Sequence, residues 1–254
     1  MLAIIAALKE EVRGYIKKAC FTPVAEQGFL RFYESALERD TVLATGGVGP
    51  RLAQEATSYV IERYSPEAVI SVGFSGAVRD GLETGDVLIC DRLLSVGGPA
   101  VLWRADDFSE RPPIDIGVME ELLTGAEETW DAYETAGCLS VPELVSHSSM
   151  KAWIGREFPV GVVDMESYWV SEKCAEYGTP HVAVRSVFDR VDQTLPPFVG
   201  EAMFESNVRR LGRAMKYVAT KPSEAPRLFN LASQSKVASA SLGGFLCSIG
   251  HGAR

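Results

Sequence analysis

Residues 66–91, PEAVISVGFSGAVRDGLETGDVLICD, contain two apolar runs with a glycine-rich segment between them. The first run, residues 68–72, predicts a buried strand that ends in a glycine turn at residues 73–76. The second run, residues 87–90, predicts another strand. Strands that are apolar along their whole length are typical of parallel sheets covered by helices on both faces. This segment therefore predicts an α/β fold.

The same alternation of strand and helix extends to both sides of this segment. Residues 95–135 are less regular, and we expect loops and one helix there. The pattern predicts a single α/β domain in which helices flank a central mixed, largely parallel sheet. Further strands are expected at residues 2–7, 41–44, 161–163 and 181–187, and helices at about residues 9–18, from Pro50 onward and up to residue 177.

The composition is that of an ordinary globular protein and narrows the classes of function. Hydrophobic residues make up 46% of the 254 residues, and the formal net charge is −9. This acidic balance argues against nucleic-acid binding, which requires a basic surface. Five scattered cysteines and three histidines without ligand spacing predict neither disulfides nor a metal site. The sequence shows neither a signal peptide nor an apolar run of about 18 residues, so we expect a cytoplasmic protein.

Carboxylates follow three of the predicted strands and indicate where chemistry can occur. Ligands of α/β sheets bind at the carboxyl ends of strands, where this chain carries Glu11, Glu166 and Asp189. Two of them also have a structural interpretation: Glu11 could lie on a solvated helix face, and Asp189 could cap a turn or pair with Arg185 or Arg190. In the absence of a Walker lysine or an acidic metal cluster, these carboxylates predict proton transfer on a neutral polar substrate.

A glycine loop at Gly47 and Gly49 precedes the helix that begins near Pro50. Glycine lets backbone amides approach a ligand closely at a helix N-terminus, so both glycines are candidates for substrate binding. A plain tight turn is the alternative. Leu52 stands where a dinucleotide-binding fingerprint would have its third glycine, so no cofactor is predicted.

Five ordered segments resemble the purine nucleoside phosphorylase / methylthioadenosine–S-adenosylhomocysteine nucleosidase superfamily, over residues 1 to about 218. The resemblance implies the nucleoside phosphorylase-like fold, a homo-oligomer, and an enzyme that cleaves the N-glycosidic bond of a purine nucleoside. The substrate would be a 5′-substituted adenosine. The segments are IIAALKEEV (4–12), TGGVGPRLAQEAT (45–57), residues 66–91, VVDMES (162–167) and VAVRSVFDRVD (182–192).

The resemblance also implies roles for individual residues. Asp189 would match the general acid that protonates N7 of the leaving purine, and Glu11 would match the base that activates water. Glu166 would match the carboxylate that binds the ribose hydroxyls, and Met165 would pack on the ribose. The remaining matches are Gly73 and Phe74, near the base and sugar, and Leu144 and Val145, which would line the base.

Water and phosphate are alternative nucleophiles. The phosphorylases of the superfamily use an arginine near the third strand and a serine in the following turn, and this chain has Ser71 and Phe74 there. A dianion without arginine is poorly compensated, which favours hydrolysis with Glu11 as the base. Arg51 or Arg104 could supply charge from elsewhere, so phosphorolysis stays open, and so does a non-catalytic nucleoside-binding module.

The C-terminal segment carries a second resemblance. We expect a nucleosidase-like domain at residues 1–220 and a basic, partly amphipathic extension at residues 221–254. Residues 220–246 resemble the extension of hopanoid-associated phosphorylase-like members, which act on an adenosyl group attached to a hopane lipid. Since anionic membranes attract each Lys or Arg by about 1 kcal/mol, this implies peripheral membrane contact. The alternative is a helix after Pro226 that packs on the domain or on a second subunit.

Overall fold

The computed structural model describes residues 1–38, 40–104, 107–111, 134–196, 199–200 and 225–250. These residues form one mixed sheet with helices packed around it, which confirms the predicted α/β class. The strands are β1 Leu2–Ala6, β2 Thr22–Gln27, β3 Leu30–Glu34, β4 Thr41–Thr45, β5 Ala68–Ala77, β6 Val87–Ser95, β7 Ser109–Glu110, β8 Glu134–Ser140, β9 Val162–Asp164 and β10 His181–Asp189. The helices are α1 Arg13–Lys18, α2 Pro50–Tyr64, α3 Ser148–Glu157, α4 Ser167–Tyr177 and α5 Ala225–Gly250, and Ala100–Leu102 forms a 3₁₀ turn.

Alternate residues of the central strands are buried against different helices. Ile4 of β1 and Ile70 of β5 belong to a core cluster that includes residues of α1 and α5. Ile5 and Val69, the neighbouring residues on the same strands, belong to a second cluster with residues of α2 and α4. Both faces of these strands are therefore covered, which explains why the sequence shows apolar runs rather than an alternation of apolar and polar residues.

Parallel strands form the centre of the sheet. β1 lies between β4 and β5, and β10 continues the parallel set on the other side of β5. The β2–β3 hairpin extends the sheet from β4 with antiparallel pairing. At the other end, five strands close into a ring through successive pairings. β5 pairs with β10, β10 with β6, β6 with β8, β8 with β9, and β9 with β5. The sheet is mixed, as predicted, and these five strands close part of it.

β5 is longer than the sequence predicts. It remains a strand through Gly73 and Phe74, where the sequence predicts a turn. β10 pairs with β5 as far as Gly76, and β9 pairs with Gly76 and Ala77. Because neighbouring strands hydrogen-bond this segment, its backbone stays extended. Glycine at position 73 instead lets the Glu11 carboxylate pack against the β5 backbone, since a Cβ on Gly73 would lie 2.9 Å from Glu11 Oε1.

The segment after β1 is a turn rather than the first part of a helix. α1 begins at Arg13 and not near residue 9. The Leu8 amide donates a hydrogen bond to Glu11 Oε2 at 2.7 Å, and the Glu11 amide donates to the Leu8 carbonyl at 3.2 Å. These two bonds hold the turn that places the Glu11 carboxylate beside β5. Of residues 95–135, where loops and one helix are expected, residues 105–106 and 112–133 lie outside the described residues.

α5 packs on the body of the domain, and the helix predicted after Pro226 is confirmed. Phe245 is fully buried in the core cluster that contains α1. α1 and α5 lie close together, as shown by the hydrogen bond of 3.0 Å that the Gly14 amide donates to Ser239 Oγ. The predicted boundary between residues 220 and 221 lies outside the described residues. Across the described ranges, no helix combines the length and the apolar character needed to cross a bilayer.

Candidate active site

A cavity of about 330 Å³ opens where several chain segments meet at one end of the central strands. Its walls come from the turn after β1, the second half of β5, the segments after β8 and β9, and the end of β10. The first turns of α5 complete the wall with Leu228, Leu231 and Ala232. The cavity thus lies at the carboxyl ends of parallel strands, as expected for an α/β sheet.

Most of the residues that the sequence singles out meet at this cavity. Those that line it are Glu11, Phe74, Leu144, Val145, Met165, Glu166 and Asp189. Gly73 lies behind Glu11, and Gly49 binds Glu166 through its amide. Gly47 lines a smaller adjoining cavity together with Glu166. Both loop glycines have positive φ, 84° at Gly47 and 96° at Gly49, so the loop conformation itself favours glycine.

Glu11 is a buried carboxylate held by two backbone amides. Besides the Leu8 amide, the Phe74 amide donates to Glu11 Oε1 at 3.0 Å. Burial raises the pKa of Glu11 to about 6, although both amide bonds and the charge of Arg185 act in the opposite direction. A carboxylate with this pKa is ionised at neutral pH and can still accept a proton from a bound molecule.

Glu166 lies beside the glycine loop, at the wall of the cavity. Its Oε1 accepts a hydrogen bond of 2.8 Å from the Gly49 amide. Removal from water, together with the nearby carboxylates of Asp164 and Glu11, raises the pKa of Glu166 to about 8, although the Gly49 amide and the charge of Arg185 act in the opposite direction. Glu166 therefore holds its proton at neutral pH until a ligand with positive charge or hydrogen-bond donors enters.

Asp189 lies at the end of β10 and pairs with a lysine that the sequence interpretation missed. Asp189 is 3% exposed, and its Oδ2 accepts a hydrogen bond from Lys151 Nζ. Burial raises the pKa of Asp189 to about 6, and Lys151 acts against this rise. The signal for Lys151 was its position three residues before Ile154 and seven before Phe158, on the buried side of α3.

The ion pairs suggested for Asp189 from the sequence were wrong. Arg185 Nε donates to Asp164 Oδ2 at 2.7 Å. Arg190 pairs with Asp192 at 2.7 Å and with Glu83 at 3.2 Å. Only in the folded chain does α3 bring Lys151 to Asp189.

Asp164 and Arg185 form a buried network behind the cavity. Asp164 accepts hydrogen bonds from Ser140 Oγ at 2.6 Å, from Ser167 Oγ at 2.6 Å and from the Ser167 amide at 2.9 Å. Burial alone would raise the pKa of Asp164, but the charge of Arg185 and these bonds hold it below its usual value. The network fixes the turn between β9 and α4, and so fixes the positions of Met165 and Glu166.

Apolar side chains make up most of the remaining wall. The rings of Phe74 and Phe188 stack with their centroids 5.6 Å apart and their planes at 22°. Leu195 and Val199 line the cavity together with the α5 residues Leu228 and Leu231. The cavity therefore offers apolar surfaces to a ring system or an alkyl group, with carboxylates lining the same cavity.

Within the described part of the chain, no lysine or arginine lines the cavity. Arg51 is bound to Glu55 at 2.6 Å on the exposed side of α2, and Arg104 is exposed. The described residues also contain no group of three or more His, Cys, Asp or Glu side chains placed to hold a metal ion.

Comparison with known proteins gives one family and one fold. A model of the phosphorylase superfamily matches residues 1–221. The 5′-methylthioadenosine/S-adenosylhomocysteine nucleosidase of Staphylococcus haemolyticus is 26% identical over 220 residues, which cover 82% of this chain and 96% of that protein. The nucleosidase of the same name from Staphylococcus carnosus is 26% identical over 219 residues, with the same coverage of both chains.

Solved structures share the fold. A Neisseria meningitidis 5′-methylthioadenosine/S-adenosylhomocysteine nucleosidase in complex with methylthio-immucillin-A is 22% identical, with a TM-score of 0.69 over 98% of this chain and 97% of that one. The futalosine hydrolase of Helicobacter pylori is 17% identical, with a TM-score of 0.70 over 98% and 96% of the two chains.

Proposed function

The chain belongs to the phosphorylase superfamily, and we propose that it is an enzyme that hydrolyses the N-glycosidic bond of a 5′-substituted adenosine. The observation that carries the proposal is the convergence of Glu11, Glu166 and Asp189 on one apolar cavity, each with a raised pKa. Raised carboxyl pKa values suit proton transfer near neutral pH. The named activity of the staphylococcal relatives supports the same reaction.

Asp189 is assigned the role of general acid. Loss of a purine anion is slow, so protonation of N7 by Asp189 would lower the barrier to cleavage of the glycosidic bond. With a pKa of about 6, a useful fraction of Asp189 carries a proton at neutral pH. The flat surface of the Phe74–Phe188 pair suits a purine ring placed beside this carboxyl.

Glu166 and Glu11 are assigned to the sugar and the water. Glu166 would bind the ribose hydroxyls and stabilise positive charge as the sugar becomes an oxocarbenium-like ion. Met165, next to Glu166 on the wall, would pack on the ribose. Glu11 would take a proton from the attacking water, since it is ionised above a pH of about 6.

Water is a better nucleophile than phosphate in this cavity. A phosphate dianion would meet the ionised carboxylate of Glu11, and no described lysine or arginine lines the cavity to compensate the phosphate charge. Arg185 lies near but is bound to Asp164. A neutral water molecule meets no such repulsion, and Glu11 can activate it.

The 5′-substituent is proposed to be apolar. The cavity is lined by the apolar side chains of Leu195 and Val199 and of the α5 residues Leu228 and Leu231. An alkyl or lipid group, such as the hopane chain that the C-terminal resemblance implies, fits this surface. Peripheral membrane contact, a homo-oligomer and a cytoplasmic location remain predictions from the sequence.

Release of free purine from a panel of nucleosides tests the proposal. Adenosine, methylthioadenosine, S-adenosylhomocysteine and adenosines with longer 5′-alkyl groups are incubated with the protein, with and without phosphate. We expect adenine and a free sugar, at rates independent of phosphate and highest for the apolar substituents. Formation of a sugar 1-phosphate would show phosphorolysis, and stoichiometric binding without release would show a nucleoside-binding module.

A further inference from the structure

Lys151 is a charged side chain inside the protein, and all of its hydrogen bonds go to one small region. Its side chain is 0% exposed. Nζ donates to Asp189 Oδ2, to the Arg190 carbonyl at 2.6 Å and to the Gln193 carbonyl at 2.7 Å. An ammonium group has three donors, so these acceptors use all of them. Such a complete set holds the group in one position, as a buried charge requires.

We propose that Lys151 is a positioning residue that holds Asp189 in one orientation and sets how readily this carboxyl gives up its proton. The proposal rests on the hydrolase function proposed above. Lys151 occupies Oδ2, and among the described residues no hydrogen-bond donor is bound to Oδ1. Both carboxyl oxygens lie near Gly76 on the cavity wall, where a Cβ on that glycine would be 3.4 Å from Oδ1 and 3.7 Å from Oδ2. Oδ1 is thus the oxygen left for the substrate.

The lysine also ties Asp189 to the segment that follows β10. Its two carbonyl acceptors belong to residues 190 and 193, and Leu195 of the same segment lines the cavity. The Gln193 side chain exchanges hydrogen bonds of 3.0 and 2.6 Å with Gln234 of α5. Lys151 therefore fixes the general acid relative to the apolar wall as well as relative to α3.

Lys151 is the ionisable group whose charge dominates at Asp189. The other described titratable residues on the cavity wall are carboxylates: Glu10, Glu11, Glu143, Asp164 and Glu166. Arg190, the neighbour in sequence, is turned toward Glu83 and Asp192. From α5 the cavity receives uncharged side chains. Burial raises the pKa of Asp189 and Lys151 lowers it, and these two effects together leave it at about 6.

Loss of the lysine should change the pH dependence in a known direction. Without its counter-charge the buried Asp189 carboxyl should titrate about 1 to 3 pH units higher. Asp189 must be protonated to act as an acid, so the basic limb of kcat/KM should move upward by the same amount. kcat on the plateau should fall, because a weaker acid donates less readily. A purely structural role would lower activity without moving the limb.

The test compares Lys151→Met with Lys173→Met, which removes a lysine paired with Glu176 on the surface of α4. Asp189 is titrated by NMR in protein labelled with ¹³C at the aspartate carboxyls, and the signal is assigned by its loss in Asp189→Asn. We expect Lys151→Met to raise the titration midpoint and the basic limb together, and Lys173→Met to change neither. A folded Lys151→Met protein with wild-type midpoint and limb would overturn the proposal.

A double variant keeps the test decisive if Lys151→Met alone does not fold. Lys151→Met combined with Asp189→Asn leaves neither partner as an unpaired buried charge, so it should fold. Because Lys151 acts through Asp189, adding Lys151→Met to Asp189→Asn should change kcat by less than about threefold. A further loss of about tenfold or more would mean that Lys151 acts elsewhere and would refute the proposal. The NMR titration needs no activity, so it distinguishes failure of this inference from failure of the hydrolase function.

Discussion

Glu11→Gln is the substitution that separates the two possible nucleophiles. It keeps the size of the side chain and removes the group that would take a proton from water. Loss of a general base typically lowers the rate by about 10²–10⁴, or about 3–5 kcal/mol in the activation free energy. If water is the nucleophile, kcat should fall by this factor with or without phosphate. If phosphate is the nucleophile, Glu11 matters less and the rate should rise with phosphate.

The structure also gives the stability effect of Glu11→Gln. The carboxylate accepts amide hydrogen bonds from Leu8 at 2.7 Å and from Phe74 at 3.0 Å, one on each oxygen. Glutamine has a single acceptor oxygen, so one amide loses its partner. The loss of a hydrogen bond to a charged group is worth about 1.5–3 kcal/mol. This destabilisation is partly offset, because the buried carboxylate with its raised pKa is itself removed.

The assay is steady-state release of adenine, with denaturant unfolding of the same preparations. Glu10→Gln is the matched control, because Glu10 is the adjacent carboxylate on the same cavity wall. It should keep kcat within a few-fold of the wild-type value. A folded Glu11→Gln enzyme that retains more than a tenth of wild-type kcat without phosphate would refute the assignment of Glu11 as the base.

Three further predictions concern the core and the cavity wall. Phe245→Ala should lower the free energy of unfolding by about 3–5 kcal/mol, because Phe245 is fully buried. Phe229 is 78% exposed, so Phe229→Ala should change this free energy by less than about 0.5 kcal/mol; urea denaturation checks both. Glu166 has a raised pKa when folded, so its contribution to stability is present below about pH 4.5 and is lost toward about pH 8. The free energy of unfolding should therefore fall by roughly 2 kcal/mol more between pH 5 and 8 in the wild type than in Glu166→Gln, after allowance for partial exposure. In Gly73→Ala the new Cβ would lie 2.9 Å from Glu11 Oε1 and displace that carboxylate. The activation free energy should therefore rise by more than the free energy of unfolding falls; kinetics and unfolding on one preparation measure both effects.

The central strands and the carboxylates after them could be predicted from the sequence. β1 and β5 are covered on both faces, so they appear as unbroken apolar runs. Asp189 ends one such run and Glu11 follows another after a short turn, and the fold brings the ends of parallel strands together. The position of the cavity and most of its polar side chains could therefore be predicted from the local sequence pattern.

The missing parts depend on contacts between distant segments. All six residues of β2 are exposed, and among the described strands it pairs with β3 alone, so it lacks the apolar pattern that predicts a strand. The continuation of β5 through Gly73 depends on β10, and the closed ring depends on pairings of β6, β8 and β9. Lys151 and Asp189 are 38 residues apart, and no local pattern relates them.

The most direct test of the proposed mechanism is the rate of purine release by Asp189→Asn. The substitution removes the proton donor while nearly preserving volume, and Lys151 can still donate to the amide oxygen. Single-turnover rates with saturating enzyme separate bond cleavage from product release. We predict a decrease of about a hundredfold or more in the cleavage rate, with substrate binding retained. Cleavage at the wild-type rate would contradict the assignment of Asp189 as the general acid.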